Sequence, residues 1–172
     1  MTASEHRLSE HLLVEPDTLR KVMGRVPTGV MVVTTATADG QAARTANSFG
    51  SVSLDPPLVS VCFGATSPFV TALQDSGRWG VSVLAADQHE LSRHFAHGPR
   101  TLDGIAHHLG PHTGAALLDD AVATMECHSL TMQRAGDHVL VLAEVVSLAA
   151  RRDTPPLIFY RGGHHQVGPA TD

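Results

Sequence analysis

The sequence predicts a mainly β protein: a closed or nearly closed antiparallel barrel with short helices on its flanks. Two observations carry this. β-Branched runs recur along the chain, most of them separated by hairpin turn signals rather than by long helical crossovers. The chain of 172 residues shows no internal repeat and no linker that would divide it, so its strands share one core. The interior of so small a barrel is filled by side chains, and a ligand therefore belongs in a groove on the outside, completed by a second subunit.

The elements follow in order. Residues 17–24, DTLRKVMG, make a short helix with Asp17 as cap and Gly24 as stop. VMVVTTAT is the first strand, and Asp39-Gly40 turns it into a hairpin. QAARTANSFGSVSL is the returning strand, ended by Asp55-Pro56-Pro57 because proline cannot donate to a ladder. LVSVCFG is the next strand. Ser67-Pro68 opens a helix as hydroxyl cap and first-turn proline, and Ser76-Gly77 closes it. RWGVSVLA is a strand, and Asp87 to Glu90 has capping-box spacing before the helix HELSRHFA. Residues 98–114 read as loop. AVATMECHSLTMQ and HVLVLAEVVSLAAR are two long strands joined by a turn at 134–137, and PLIFYRGG is the last. The organisation expected is a flexible lead at 1–16, one domain at 17–163 and a tail at 164–172.

Composition excludes several classes. A formal charge of −5 leaves no basic footprint for nucleic acid. No apolar run approaches the ~18 residues of a membrane-spanning helix. MTASEHRLSEHLL carries acids and histidines where a signal peptide has its apolar core, which points to the cytoplasm. Cys62 and Cys127 sit in apolar strand runs and read as reduced, buried residues. The 12 histidines show neither HExxH nor a Cys/His ligand spacing, so no metal site is expected. His94 and His97 share a helix face, His107, His108 and His112 lie in a loop, and His164-His165 end the chain's patterned part.

No GxGxxG, phosphate-binding GxxxxGK[ST] loop or GxSxG elbow is present, so neither a common dinucleotide fold nor a nucleophilic Ser48 or Ser51 is indicated. What is present is TANSFGSVSL. Alternation puts Thr45, Asn47 and Phe49 on one face and Ala46, Ser48 and Gly50 on the other, with a bulge expected at Gly50. Small side chains let a flat ring approach the backbone, whose N–H and C=O groups suit a flavin's pyrimidine edge. An edge strand with solvated hydroxyls is the plainer reading of the same pattern. The helix opening at Ser67 adds free N–H groups and a positive dipole end, which suit a phosphate.

These segments together resemble the flavin reductase-like domain family, short-chain NAD(P)H:flavin oxidoreductases that supply reduced flavin to two-component monooxygenases. The resemblance runs over roughly residues 17–163, through VPTGVMVVTT, RTANSFGSVSLDPPLVSVCF, GRWGVSVLAADQHELSRHFA, LDDAVATMEC, AGDHVLVLAEV and PLIFYRGG. It implies an FMN-binding split β-barrel of Greek-key type, a homodimer, FMN or FAD as flavin, NADH or NADPH as reductant, and a monooxygenase as recipient. By matching motif it implies that Pro27, Thr28, Gly29 and Val30 lie near the isoalloxazine. Thr45, Ala46, Asn47 and Ser48 would run along ring and ribityl chain, with Ser51, Val52, Ser53 and Leu54 continuing that wall. Cys62, Phe63 and Gly64 would approach from the neighbouring strand, and Ser67 with Phe69 at the helix start would hold the phosphate. Arg93, Phe95, His97 and Asp137 would border the nucleotide, with His94 on the same helix. His138 would stand by the nicotinamide as the one catalytic candidate, in a turn shaped by Gly136 and Asp137.

The chain departs from the family pattern at three places. Pro68 and Phe69 stand where a polar or basic residue and a Ser or Thr are common. Thr101 and Leu102 fall near the usual Lys and Phe, and His164-His165 replace the terminal tyrosine. The implied chemistry is hydride transfer between stacked rings, in which alignment lowers most of the barrier and the cofactor carries the reaction. The alternative is a split barrel that binds flavin or haem without reductase turnover.

Overall fold

β-Branched and small apolar residues put half the chain into antiparallel strands in the computed structural model, which describes residues 14–168. Three helices are seen, α1 (Pro16–Met23), α2 (Pro68–Ser76) and α3 (His89–His97). The strands are β1 (Thr28–Gly29), β2 (Met31–Thr37), β3 (Gly40–Ala46), β4 (Gly50–Leu54), β5 (Pro57–Gly64) and β6 (Arg78–Val83). They continue with β7 (His107–Leu109), β8 (Ala116–Leu118), β9 (Ala123–Ala135), β10 (His138–Ala150), β11 (Leu157–Tyr160) and β12 (Gly163–Gln166). Seven of them form one sheet in the order β3-β2-β6-β9-β10-β5-β4, beside a β1-β11-β12 sheet and a β7-β8 pair.

The order of the large sheet forces it to curl. Its two edges, β3 and β4, are consecutive in the chain and joined only by residues 47–49. Four Cα steps reach at most roughly 14 Å. Six interstrand spacings of about 4.8 Å would set the edges of a flat sheet roughly 29 Å apart. The edges must therefore meet, and the sheet rolls into the barrel that alternation and hairpins predict. Ser48 fastens the crossing: its Oγ accepts from Cys62 N at 3.0 Å and donates to Cys62 O at 2.9 Å, in place of ladder bonds.

Two cores result. Val33, Val61, Phe63, Trp79, Val81, Cys127 and Val141 fill the barrel, and α2 adds Phe69, Val70 and Leu73. Val30, Val32, Ala43, Leu84, Phe95, Leu118 and Leu157 form the second under α3. β2 alternates between them and is buried on both faces, hence its run of valines and threonines. Both cysteines are free, and burial pushes the Cys127 thiol up to about 12.

Several local expectations give way to tertiary contacts. Helix α1 begins at Pro16, and Asp17 pairs with Arg20 at 2.8 Å rather than capping. The capping box at α3 does not form: Gln88 Oε1 accepts from Ala85 N, Asp87 pairs with Arg152, and Glu90 pairs with Arg93. The returning strand after Asp39-Gly40 is two strands, because residues 47–49 cross the barrel seam. Its irregularity lies between Ser51 and Ser53, not at Gly50. Asp55 and Pro56 turn β4 into β5, so this break is a hairpin. His164 and His165 are not in a tail but in β12, opposite Phe159 and Ile158. The part of the expected lead at residues 1–13 lies outside the described residues.

Within the expected 98–114 loop, a buried carboxylate organises the chain. Glu126 is 1 % exposed and accepts from His112 N, Thr113 N and Thr113 Oγ1 at 2.8–2.9 Å. Gly110 lies against this carboxylate, which would overlap any Cβ there. The ordered loop lets β7 pair with β8.

Two consequences are measurable. Ser48→Ala removes both bonds at the seam, a loss of about 1–2 kcal/mol that lowers Tm by roughly 2–6 °C; an unchanged melting curve would show that they contribute nothing. For Glu126, burial raises the carboxyl pKa but the bonds from Thr113 and His112 outweigh it, leaving it below the ordinary 4.5. Its contribution is full above the unfolded value and is lost as pH falls through the lower folded one. Acid titration of stability should therefore be flatter for Glu126→Gln than for the natural chain over pH 5 to 3.

Candidate functional site

β3 is an edge strand, so half its backbone N–H and C=O groups are free of the ladder. Two grooves lie along it. The first, about 210 Å³, takes Thr45, Ala46 and Asn47 from the end of β3, and Ser92, Arg93, Ala96 and His97 from α3. Val30, Phe159 and His164 complete it. Thr45 Oγ1 donates to Ser92 O at 2.7 Å, which fixes α3 against the strand. Ser92 Oγ meets His164 Nε2 at 3.0 Å, and Phe159 meets the same ring edge-on at 5.7 Å. Burial, then Arg93 and His89, lower the pKa of His164, so the groove carries a neutral imidazole at pH 7. Ala46 and Ala96 are the smallest side chains here and leave a slot a flat ring can enter.

The second groove, about 220 Å³, adjoins it along Ala42, Ala43 and Arg44 and reaches Ser67, Pro68, Phe69 and Arg100. Ser67 is the N-cap of α2 but makes no side-chain capping bond, and its buried Oγ has no partner among the described residues. Arg100 Nε is likewise buried with no partner among them, while Nη2 donates to Ala96 O at 2.9 Å. Arg44 has its pKa lowered by burial and by Arg100, two cations facing one another. Two like charges, a hydroxyl and a helix N-terminus line this one groove, an arrangement suited to an anion. Arg100 links the grooves through Ala96. A seven-residue strand is roughly 23 Å long, enough for a ring laid by its end and a phosphate lodged further back.

Of the residues expected from sequence, Val30, Thr45, Ala46, Asn47, Arg93 and His97 meet in the first groove, and Ser67 and Phe69 in the second. Pro27, Thr28 and Gly29 stand beside the first, where Thr28 pairs with Phe159 and keeps a buried Oγ1 without a partner. Others lie elsewhere. Phe63 points into the barrel against Phe69 at 5.0 Å, and Phe95 is fully buried in the second core, so neither ring lines a groove. The Ser48 hydroxyl is engaged by Cys62. Ser51, Val52, Ser53 and Leu54 lie on the β4-β5 hairpin, where Leu54 is 90 % exposed, and do not line the grooves.

Cys62 and Gly64 belong to β5 and line neither groove. Asp137 and His138 are exposed at the β9-β10 turn opposite Gly64, bonded Oδ1 to Nδ1 at 2.8 Å, and border neither groove within the chain. Sequence reasoning missed Arg44, Ser92, Ala96, Arg100, Phe159 and His164. Arg44 begins the RTANSF segment and could have been read from it. Arg100 gave no signal, being delivered by a turn at φ 62°.

Comparison with known proteins identifies the family. The family model described as "Flavin reductase like domain" matches residues 23–168. The chain is 38% identical over 157 residues to an NADH-dependent flavin reductase of Rhodococcus sp, covering 90% of this chain and 88% of that one. The solved structure of a Streptomyces globisporus NADH:FAD oxidoreductase in complex with NAD and FAD fragments superposes with a TM-score of 0.86 at 38% identity, over 93% of this chain and 99% of that one. The flavin reductase component of a bacterial two-component tryptophan halogenase superposes with a TM-score of 0.85 at 34% identity, over 91% and 100%. With a ring-sized slot and an anion cradle in line along one strand edge, and with this likeness over almost its whole described length, the chain belongs to the flavin reductase-like domain family.

Proposed function

We propose that this protein is an NADH-dependent flavin reductase that passes reduced flavin to a partner monooxygenase. The observation that carries the reading is the pairing of the slot at Thr45, Ala46 and Asn47 with the Arg44–Ser67–Arg100 cradle. A flavin's phosphate follows its ring and ribityl chain in that order, and FMN and FAD share this part. The residues fit the group: the cradle holds two unpartnered buried polar atoms, Ser67 Oγ and Arg100 Nε. Relatives and neighbours of this family named as NADH-dependent reductases support NADH as the donor, and the halogenase component supports a two-component system.

When bound, the flavin supplies the chemistry by accepting a hydride from the dihydronicotinamide. The chain's own residues do the rest. The free edge of β3 offers N–H and C=O groups to the ring's polar edge. Ala46 and Ala96, as small side chains, would leave the groove open to a flat ring, with Phe159 forming one wall. The cradle neutralises the phosphate and fixes the ring's position along the strand.

The acting unit is a homodimer in this reading. Helix α1 buries none of its residues, and Leu19, Val22 and Met23 stand exposed on it. Arg20 of this helix lies near enough to help lower the Asp137 pKa, chiefly set by His138. His138 thus sits beside the surface that would meet a second subunit, and orients the nicotinamide across that interface. No described helix is long and apolar enough to cross a membrane, and a cytoplasmic location suits the free cysteines.

Mixing the protein with NADH and FMN should bleach the nicotinamide absorbance; no oxidation with either NADH or NADPH would sink the reading. Arg100→Ala and Ser67→Ala should each raise the KM for FMN roughly ten-fold or more, from loss of a charge-assisted bond or a buried donor, and leave that for riboflavin unchanged. Equal effects on both flavins would move the phosphate elsewhere. His138→Ala should raise the KM for NADH or lower turnover, and a variant indistinguishable from the natural chain would remove the role given to this side chain.

A further inference from the structure

Membership of the family leaves FMN and FAD both open, and the groove lined by Arg44, Ser67 and Arg100 bears on the choice. We infer that this groove is built for one terminal phosphate, so that FMN rather than FAD is the flavin this chain takes. The inference rests on the reading above in taking the groove as the flavin phosphate's. It adds which flavin is selected and by which residues.

Charge is the first ground. A phosphomonoester such as that of FMN carries about −2 above its second ionisation near pH 6, all of it on the free oxygens of one phosphorus. FAD spreads the same charge over two linked phosphates, and the one that follows its ribityl chain holds only a single charge. Here two guanidinium groups line one volume of about 220 Å³. Burial and the charge of Arg100 both lower the Arg44 pKa, so the two cations sense one another. Among the described residues neither bonds a carboxylate, and Arg100 spends one N–H on Ala96 O. Their joint charge matches a dianion held at a single phosphorus, where each contact is charge-assisted.

The supply of donors is the second ground. Ser67 Oγ and Arg100 Nε are buried with no partner among the described residues, and α2 begins at the same groove. Beyond Ser67 the donors run out. Pro68 has no N–H, Val70 N is spent on Ser67 O at 2.9 Å, and Ser67 N on Gly64 O at 2.9 Å. The Phe69 ring belongs to the barrel core. A second phosphate at this helix start would meet Pro68 and Phe69, at the two positions where a polar or basic residue and a Ser or Thr are common in the family. It would gain no bond from either side chain in exchange for lost hydration.

Calorimetric titration in the absence of NADH tests this apart from turnover. At about pH 7.5 FMN should bind the natural protein roughly ten-fold or more tighter than FAD, the worth of one charge-assisted bond. The advantage should shrink at about pH 5, where the FMN phosphate keeps a single charge. Arg44 and Arg100 are the titratable side chains that line this groove, and both stay charged over that range. His97 and His164 of the adjoining groove act on the ring that both flavins share and cancel in the ratio. Arg44→Gln should narrow the ratio several-fold by weakening FMN. Pro68→Arg, at an exposed position, should narrow it by tightening FAD, and gives a second arm if the first variant melts. FAD bound as tightly as FMN, a ratio that the pH change and both variants leave where it was, or no saturable binding of FMN would overturn the inference. Preferential FMN binding without any NADH oxidation would count against the reductase reading and leave the flavin preference standing.

Discussion

A three-residue link between the two edges of one sheet is the constraint on which the structure depends. Residues 47–49 are too short to run from β3 to β4 around a flat sheet. The sheet therefore closes, and Ser48 bonds both backbone groups of Cys62 at the seam. Closure by a crossing rather than by continuous pairing leaves the outer edge of β3 open. That open edge carries both grooves, and α2 and α3 stand at its two ends because each has a core to cover. Phe69, Val70 and Leu73 of α2 enter the barrel, and Phe95 of α3 covers its outer face.

Electrostatics then divide the site. On the α2 side, Arg44 and Arg100 line one groove with no carboxylate bonded to either among the described residues, and burial and mutual repulsion both weigh on Arg44. An anion between them relieves both costs, which makes the free cradle a place of unfavourable energy kept by the fold around it. On the α3 side the positive groups are softened: Glu90 pairs with Arg93 and His89, and His164 is held neutral beside Ser92. An uncompensated pair of cations thus adjoins a compensated one along the same strand edge.

Buried charge appears once more, as framework. Glu126 lines neither groove, yet its carboxylate gathers the amides of His112 and Thr113. The loop so ordered places Ala115 and Leu117 against Gly80, where an added Cβ would come within 2.7 Å of Leu117 Cδ2. Nothing local in LGPHTG announces this, because the partner lies 13 or more residues further along the chain.

Much was legible in the sequence. β-Branched runs, Asp39-Gly40, Ser67-Pro68, Ser76-Gly77 and the turn before His138 are local signals, and hydrogen bonding within a few residues decides them. They determined the strands of the barrel, the helix between β5 and β6, and the hairpin of β9 and β10. The family resemblance named Thr45, Ala46, Asn47, Arg93 and Ser67, which line the two grooves. Only the tertiary structure decided which side chains line the grooves. Phe63 and Phe95 are drawn inward because large apolar rings gain more from burial than from a groove. Ser48 is claimed by the seam, and Arg44, Arg100, Ser92 and His164 are brought together from positions up to 120 residues apart. Such convergence follows from how the sheet closes, a property of the whole chain that no short segment of it contains.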